Sequence, residues 1–545
     1  MSELPPGWVW AELSQLLSEE RPLCYGVVQP GDDGDGEIPL VRVCDLENGT
    51  VLLDQMRTIT KDVDNTYSRS RLLGGEILIS LVGTIGRIAV APSDLRGANI
   101  ARALARASIQ PPLEAKWVAA WLSGPEMQHR LLMDAREVAQ KTLNLGQLRV
   151  VPVPVPPVAE QRRIVTQIET LTTKSRRAKE ALNAIPALLE RFRKSVLAAA
   201  FRGDLTADWR EKNPDVEPAE ELLKRIRTER RRRWEEAELA KMRAKGKVPG
   251  DDRWKERYED PNPAIIDDLH EEWFAARHEQ RWGVTPLEAA CDPTRGIPYG
   301  IVLTGDPDAA GVPTVRCGDI KSFKIDISAL KRVARKVADE FARTRLEGDE
   351  VLIAIRGTVG ATAVATDTMK GMNISREIAM IPLLPGIEPR FVMYLLASPG
   401  GQAFLSRHIK GVAQAGINLS DLRAFPLPLP SLDEQREIVS KIEALLQRID
   451  TLARTLDEAC LRHSSLDRAI LAKAFRGELV PQDPNDEPAS LLLERLRVES
   501  AENGTTSNGT NRRRKAATPE LREAVAKATK LAANPRNRAS RSARR

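Results

Sequence analysis

Two glycine-flanked loops, GTIGR at residues 83–87 and RGTVG at 356–360, carry Thr84 and Arg87, and Arg356 and Thr358, beside residues that have no side chain. That spacing lets backbone N–H groups and a guanidinium come close to an anionic oxygen. Asn99 with Arg102, Asn373 with Arg376, and Arg42 with Arg316 add polar side chains at matched positions. Patterns for covalent or proton-transfer chemistry do not accompany them. There is no G-x-x-x-x-G-K-[ST] phosphate cradle, no Asn/Asp-Pro-Pro-aromatic motif and no H-E-x-x-H metal helix. His129, His270, His278, His408 and His463 show no ligand spacing, and Asp251-Asp252 and Asp267-Asp268 sit in polar connectors where they read as solvated. Cys24, Cys44, Cys291, Cys317 and Cys460 form no C-x-x-C pair, which disfavours a disulfide framework and a zinc site. The chemistry expected of this chain is binding.

The elements that must hold these residues are written twice. A shift of 274 places Trp8 on Trp282, Tyr25-Gly26 on Tyr299-Gly300, Val41-Arg42 on Val315-Arg316, and EILISLVGTIG on EVLIAIRGTVG. The register continues through Asn99 and Arg102, Asn144-Leu145 and Phe201-Arg202-Gly203. The chain is therefore a tandem duplication, each copy a globular part followed by a long helix. The short Ile/Leu/Val runs bounded by glycine predict strands, and AKWVAAWLSGPEMQHRLLMDA and PRFVMYLLASPGGQAFLSRHI predict a pair of short helices broken at Gly-Pro or Pro-Gly, so each globular part is α+β.

Between globular part and helix stand the runs VVPVPVPPVAEQRRIV and AFPLPLPSLDEQREIV. Proline at alternate positions removes backbone donors and excludes a central strand, leaving an extended strut; a proline-rich ligand for an SH3-like domain is the alternative. Ser431 suits a helix N-cap, with Glu434 in capping-box position. Beyond these starts, apolar residues step by four and three: Ile164, Ile168, Leu171, Leu182, Leu189, Phe192 in one helix; Ile438, Ile442, Leu445, Ile449, Leu452, Leu456, Leu466 in the other. Ser175 and His463 interrupt the two seams with polar groups, and Pro186 is expected to kink the first helix. About five heptads give a rod on the order of 50 Å. Two such rods are expected to pair antiparallel with pseudo-two-fold symmetry; the competing reading packs each helix on its own domain. The mixed-charge stretch Glu229–Lys247 reads as an exposed helix in the connector between the copies, where Trp209, Trp234, Trp254 and Trp273 either anchor a partner or pack on the rod.

Two similar heads held a fixed distance apart suit a long ligand with two sub-sites, and DNA is the foremost such ligand. The GxxG loop after ILIS, Asn-Leu-x-x-Leu before a proline run, P-x-x-EQ-x-x-I, FRG-[DE]-L, and LTADWREKNPDVEPAEELLKRIRTER closely resemble the specificity subunit of type I restriction-modification systems, over roughly residues 5–500. The resemblance implies target-recognition domains at 1–156 and 276–430, a central spacer helix with a charged connector at 157–275, and a C-terminal spacer helix region at 431–500; residues 501–545 fall outside it. It further implies that each domain reads half of a bipartite double-stranded DNA target and that the helices set the gap and carry two methyltransferase subunits. Restriction subunits are a further partner. This chain would then be non-catalytic and hold no cofactor, S-adenosylmethionine, ATP and Mg belonging to the partners.

In that family the two domains usually read different sequences, so residues identical in both copies are expected to contact phosphate or hold the fold. Base readers should lie where the copies differ, as at Arg69, Arg71 and Lys141 against Arg343, Arg345 and Gln414. For each of these a merely solvated side chain is the competing reading. A non-catalytic coiled-coil scaffold whose heads bind proteins is the alternative function.

Charge agrees with a local interface. Residues 512–545 carry twelve Lys/Arg against two Glu, and taking that +10 from the total of +6 leaves −4 for the rest. Such a basic tail, expected to be disordered, gives sequence-blind phosphate attraction at most. The N-terminus lacks a basic segment before an apolar run, and no stretch approaches the ~20 apolar residues of a membrane span. The expectation is a cytoplasmic protein.

Overall fold

A computed structural model describes residues 3–32, 36–134, 142–247, 249–261, 282–410 and 416–503. The chain divides into two compact units, one of Met1–Arg177 with His463–Arg545, the other of Ala178–Arg462. Among the described residues no helix is long and apolar enough to cross a membrane.

In the first unit the run after Gly75-Glu76 forms the strand Ile77–Ser80, buried throughout. It lies between Leu104–Ala107 and Ile88–Val90 in a four-stranded antiparallel sheet. Ile77 and Ile79 face one core with Trp117 and Leu122, while Leu78 faces another with Val41, Leu95 and Ile100. Cover on both faces is why the segment is apolar without alternation. A second sheet joins Arg57–Ile59, Ile38–Val41 and Asn99–Ile100, the last pair parallel. The helix pair is Ala115–Ser123 and Pro125–Asp134.

The second unit repeats the plan: Val351–Ala354 lies between Ile378–Ile381 and Thr362–Val364, and a second sheet joins Lys331–Val333, Val312–Val315 and Asn373–Ile374. Its helix pair is Pro389–Ala397 and Pro399–Arg407. The predicted α+β build is the one observed.

The proline runs are strands, not struts. Pro152–Val155 pairs antiparallel with Val9–Glu12, placing Trp10 opposite Pro154 and Glu12 opposite Pro152, and Pro426–Leu429 pairs likewise with Gly283–Pro286. A two-stranded ribbon accepts proline wherever the missing N–H would face away from the partner strand. The prolyl carbonyls then also face away, and in the first unit they accept the indole N–H groups of Trp117 (2.8 Å, Pro154) and Trp121 (2.8 Å, Pro152). A buried ribbon thus has no orphaned donors on its outer edge.

The Glu-Gln pair that follows is the joint between domain and helix. Gln161 donates to the Pro156 carbonyl at 2.8 Å and accepts from the Glu114 backbone N–H at 3.0 Å; Gln435 does the same with Pro430 (2.9 Å) and Glu388 (2.9 Å). Glu160 accepts from the Trp8 indole at 3.0 Å and Glu434 from the Trp282 indole at 3.1 Å. The capping box is therefore half realised: Ser431 Oγ accepts from the Glu434 N–H at 3.2 Å, but the Glu434 carboxylate turns inward instead of back to the cap.

The two long helices are Val158–Phe201 and Leu432–Phe475, the first continuous across Pro186. Each unit holds one part of both, running antiparallel. In the second unit Arg193 meets Asp450, the Leu205 carbonyl meets Lys441 and Thr206 meets Glu434, so numbers rise on one strand of the pair as they fall on the other. In the first unit Ser175 Oγ lies 3.1 Å from His463 Nε2 and donates to Asp467 at 2.7 Å. The two polar interruptions of the seam are thus the two sides of one contact.

Ile164, Ile438, Ile442 and Ile449 are fully buried and Leu456 nearly so; Ile168, Leu171, Leu182, Leu189 and Leu445 are half-buried. Phe192, Leu452 and Leu466, by contrast, stay exposed. The heptad pattern overstates the covered seam.

Each helix end is anchored on a domain distant in sequence. Phe475 packs edge-on against Trp117 and Trp121, with ring centres 5.6 and 4.9 Å away, and Phe201 packs on Phe391 at 5.3 Å. Beyond Phe475, Leu492, Leu493 and Leu496 join the first unit's core; beyond Phe201, Leu222 and Ile226 join the second's. Glu229–Lys247, expected to be exposed, continues this helix, Ala219–Ala244, whose buried face also includes Arg230. Trp234 stacks on Trp254 at 6.1 Å, so these two pack on each other; Trp273 lies outside the described residues.

Candidate nucleic-acid interface

The glycine loops are fixed from below. Ser80 Oγ donates to the Thr84 carbonyl and accepts the Arg87 N–H at 2.8 Å. Gly86 and Gly360 take φ of +85° and +88°, and their carbonyls accept from Gln128 (2.8 Å) and Gln402 (3.0 Å) on the second short helix. A Cβ at Gly86 would sit 2.6 Å from Gln128 Oε1, so glycine is required both for the turn and for the anchor. Thr84, Arg87, Arg356 and Thr358 are left exposed, with Thr358 Oγ1 donating to the Cys317 carbonyl at 3.3 Å and Arg87 reaching the Val43 and Leu46 carbonyls at 3.4 Å.

The remaining expected residues separate into three groups. Arg102 and Arg376 are exposed beside the strands they follow, their backbone N–H groups donating to the Val27 (2.8 Å) and Ile301 (2.9 Å) carbonyls. Arg69 and Arg343 are exposed as well, Arg343 donating to the Arg295 carbonyl at 3.4 Å. A second group is already paired: Arg42 with Asp45 at 3.0 Å, Arg316 with Asp319 at 3.3 Å, Arg71 with Asp64 at 2.5 Å, and Arg345 with Asp339. The hydrogen bond to Asp64 also raises the Arg71 pKa above its ordinary value. The Arg345–Asp339 pair is exposed on both sides and can be traded for a phosphate at small cost, whereas Asp45 and Asp64 are buried, so giving up their arginines would leave a buried charge behind.

Asn99 and Asn373 are the correction. Both are 0% exposed. Asn99 accepts from Ser70 (2.6 Å) and donates to Asp64 (2.9 Å), and Asn373 accepts from Thr344 (2.6 Å) and donates to the Phe341 carbonyl (3.2 Å). Each of their polar atoms is used inside the domain, so these residues hold the fold. Lys141 and Gln414 lie outside the described residues.

The structure also brings forward residues the spacing did not single out. Tyr25 and Tyr299 are 42% and 47% exposed, with Val28, Val302 and Leu303 beside them in sequence. Each tyrosine precedes a glycine with no room for a side chain: a Cβ at Gly26 or Gly300 would sit 2.0 or 1.9 Å from the Ile100 or Ile374 carbonyl oxygen. The signal available in the sequence was an aromatic kept in register in both copies without a heptad or strand pattern to bury it. Tyr25 and Tyr299 with Arg102 and Arg376 give each domain an amphipathic, cationic rim able to take a base face and a phosphate.

The two loops carry their guanidinium at different ends. Arg87 corresponds to Ala361 and Arg356 to Val82, so the guanidinium closes the loop in one unit and opens it in the other. Among the described residues no group of three His, Cys, Asp or Glu is placed to hold a metal ion.

Comparison with known proteins bears on this arrangement. The chain is 42% identical over 232 residues to the EcoBI specificity subunit of Escherichia coli, a match covering 42% of this chain and 49% of that protein. It is 22% identical over 523 residues to the EcoKI specificity subunit of Escherichia coli (strain K12), covering 92% of this chain and 97% of that one. The fold is similar to the crystal structure of the HsdS subunit from Thermoanaerobacter tengcongensis, with a TM-score of 0.54 at 19% identity, over 88% of this chain and 98% of that one. The family model described as "Type I restriction modification DNA specificity domain" matches residues 31–187 and 311–459, more than half of the chain and once in each copy. This chain belongs to that family.

Proposed function

We propose that the chain selects a bipartite site in double-stranded DNA for a type I restriction-modification complex, each domain reading one half and the paired helices setting the gap between halves. The observation that carries this reading is the repeated frame with a relocated guanidinium: one scaffold, the same exposed Tyr and Arg at its rim, but Arg87 at one end of the first loop and Arg356 at the other end of the second. Shared cations suit the phosphate backbone, which is alike at every site, and differing ones suit base edges, which are not.

The partners in this reading are two methyltransferase subunits docked on the helices, and restriction subunits. The relatives are named as specificity subunits of restriction enzymes, which supports that assignment. The chain itself performs no catalysis and holds no cofactor; S-adenosylmethionine, ATP and Mg belong to the partners, and the complex works in the cytoplasm. The basic tail at 512–545 adds salt-sensitive attraction without selectivity.

Methylation-sensitive sequencing of DNA from cells making this chain with its methyltransferase tests the proposal. The expected result is one modified bipartite motif; unmodified DNA in the presence of an active methyltransferase refutes it and restores the protein-binding scaffold.

A further inference from the structure

Arg21, Arg69, Arg71 and Arg106, together with one carboxylate, Glu20, line a cavity of about 350 Å³ in the first unit. Two of these cations are neutralised: Arg21 pairs with Glu76 at 3.1 Å and Arg71 with Asp64 at 2.5 Å. Among the described residues no carboxylate pairs with Arg69 or Arg106. Arg106 is 2% exposed, and its donors meet only neutral groups: Ser108 Oγ at 2.8 Å, the Pro22 carbonyl at 3.1 Å and Cys24 Sγ at 3.4 Å. Its Nε is buried with no partner. A buried charge left without a counter-charge is costly, and a buried donor without an acceptor adds to that cost. Burial, and then the neighbouring Arg106, hold the Arg21 guanidinium below its ordinary pKa, with Glu76 acting against them.

The repeat supplies an internal comparison. The position of Arg106 is taken in the second unit by Met380, fully buried, with Arg295 Nη2 3.2 Å from its sulfur and ion-paired to Glu350 at 2.7 Å. The same frame therefore closes around an apolar side chain here. The guanidinium in the first unit is not what the fold needs.

We infer that the cavity is an anion site for a phosphate-class group, with Arg106 as its fixed donor and Arg69 at its exposed rim. The inference goes beyond the DNA reading, since it needs no duplex: the phosphate can be that of the DNA backbone or of a free polyphosphate. Guanidinium forks match the geometry of either.

The test uses the full chain, with inorganic pyrophosphate as probe in isothermal titration, and an unrelated duplex in a salt series. Arg106→Met copies the second unit and leaves the basic tail unchanged, so tail binding cancels in the comparison. The variant is expected to weaken saturable pyrophosphate binding at least tenfold. If the site takes a backbone phosphate, the slope of log K against log salt also falls by about one; if it takes a free anion, the slope stays and only pyrophosphate binding is lost. Unchanged pyrophosphate affinity together with an unchanged slope overturns the site. Should circular dichroism show Arg106→Met unfolded, Arg69→Gln at the surface decides: a several-fold loss of pyrophosphate affinity supports the site, and an unchanged affinity overturns it.

Discussion

Replacing Glu434 by Gln and, separately, Glu160 by Gln should move stability in different directions, although the two carboxylates occupy the same place in the repeat. In the second unit Glu434 Oε1 accepts from Thr206 Oγ1 at 2.8 Å and Arg210 Nη1 at 2.5 Å, while Oε2 accepts from the Trp282 indole at 3.1 Å. An amide has one acceptor and one donor end, so either way round its NH2 faces a fixed donor. Loss of the charge from these bonds and one opposed donor together cost about 2–4 kcal/mol, or roughly 5–15 °C in the melting of that unit. In the first unit Glu160 Oε2 accepts from Trp8, but Oε1 is buried with no hydrogen-bond partner.

Burial pushes the Glu160 pKa up, opposed by Trp8 and by Arg163. The native state then holds a proton that the unfolded chain has lost, so stability present at low pH declines as pH rises through the folded value. Glu160→Gln removes a buried charge whose nearby cation, Arg163, is already paired with Asp486 at 2.7 Å, and at pH 8 it should leave the melting temperature unchanged or raise it. At pH 4, where wild type is itself protonated, the difference should vanish. Calorimetry of wild type and both variants at the two pH values is the assay. Equal destabilisation by both variants at pH 8 would refute the reasoning, because Arg210 and Thr206 would then have no bearing on the joint.

Four further outcomes follow from the same structure. Inserting one heptad into each long helix at facing positions should widen the gap between recognised halves by about 10 Å, or about three base pairs, read as a shifted methylation motif. Arg102→Ala and Arg376→Ala should each weaken binding to all duplexes alike and lower the salt slope by about one, whereas Arg87→Ala and Arg356→Ala should each relax preference in one half-site only. Asn99→Ala, which takes away the donor to Asp64 Oδ1 and the acceptor of the Ile100 N–H, should destabilise the first unit by about 2–4 kcal/mol in chemical denaturation. Gly26→Ala should unfold or rearrange the segment around it, seen as lost amide protection at Val27, whose N–H donates to the Ile100 carbonyl at 2.7 Å.

What could be read from the chain alone was whatever repeats locally. Ile77–Ser80 and Val351–Ala354 announce themselves because a strand covered on both faces has no polar alternation, and the short helix pairs because Gly124-Pro125 and Ser398-Pro399 punctuate them. Pro152–Val155 did not, because its partner Val9–Glu12 lies far away in sequence and proline chemistry alone fits a strut as well as an edge. Asn99 and Arg102 have the same polarity and near-identical repeat positions, yet one is enclosed and one is open; only the turn after Asn99–Ile100 separates them, and no spacing rule encodes it.

Ser175 and His463 show the same limit more sharply. In each helix taken alone they are defects of a heptad seam, falling in different heptads. Antiparallel pairing inverts one of the two counts, and the defects coincide, with Ser175 also bonded to Asp467. A polar contact at a single seam level cannot be satisfied in a shifted register, so it selects one alignment out of the several that leucine and isoleucine would tolerate. Ser175→Ala with His463→Leu should therefore keep or raise the melting temperature while loosening the register. In cells the expected trace is a methylation motif whose gap is no longer single-valued, and a motif with one unchanged gap would show that the joints at Glu160-Gln161 and Glu434-Gln435 set the alignment without help from the seam.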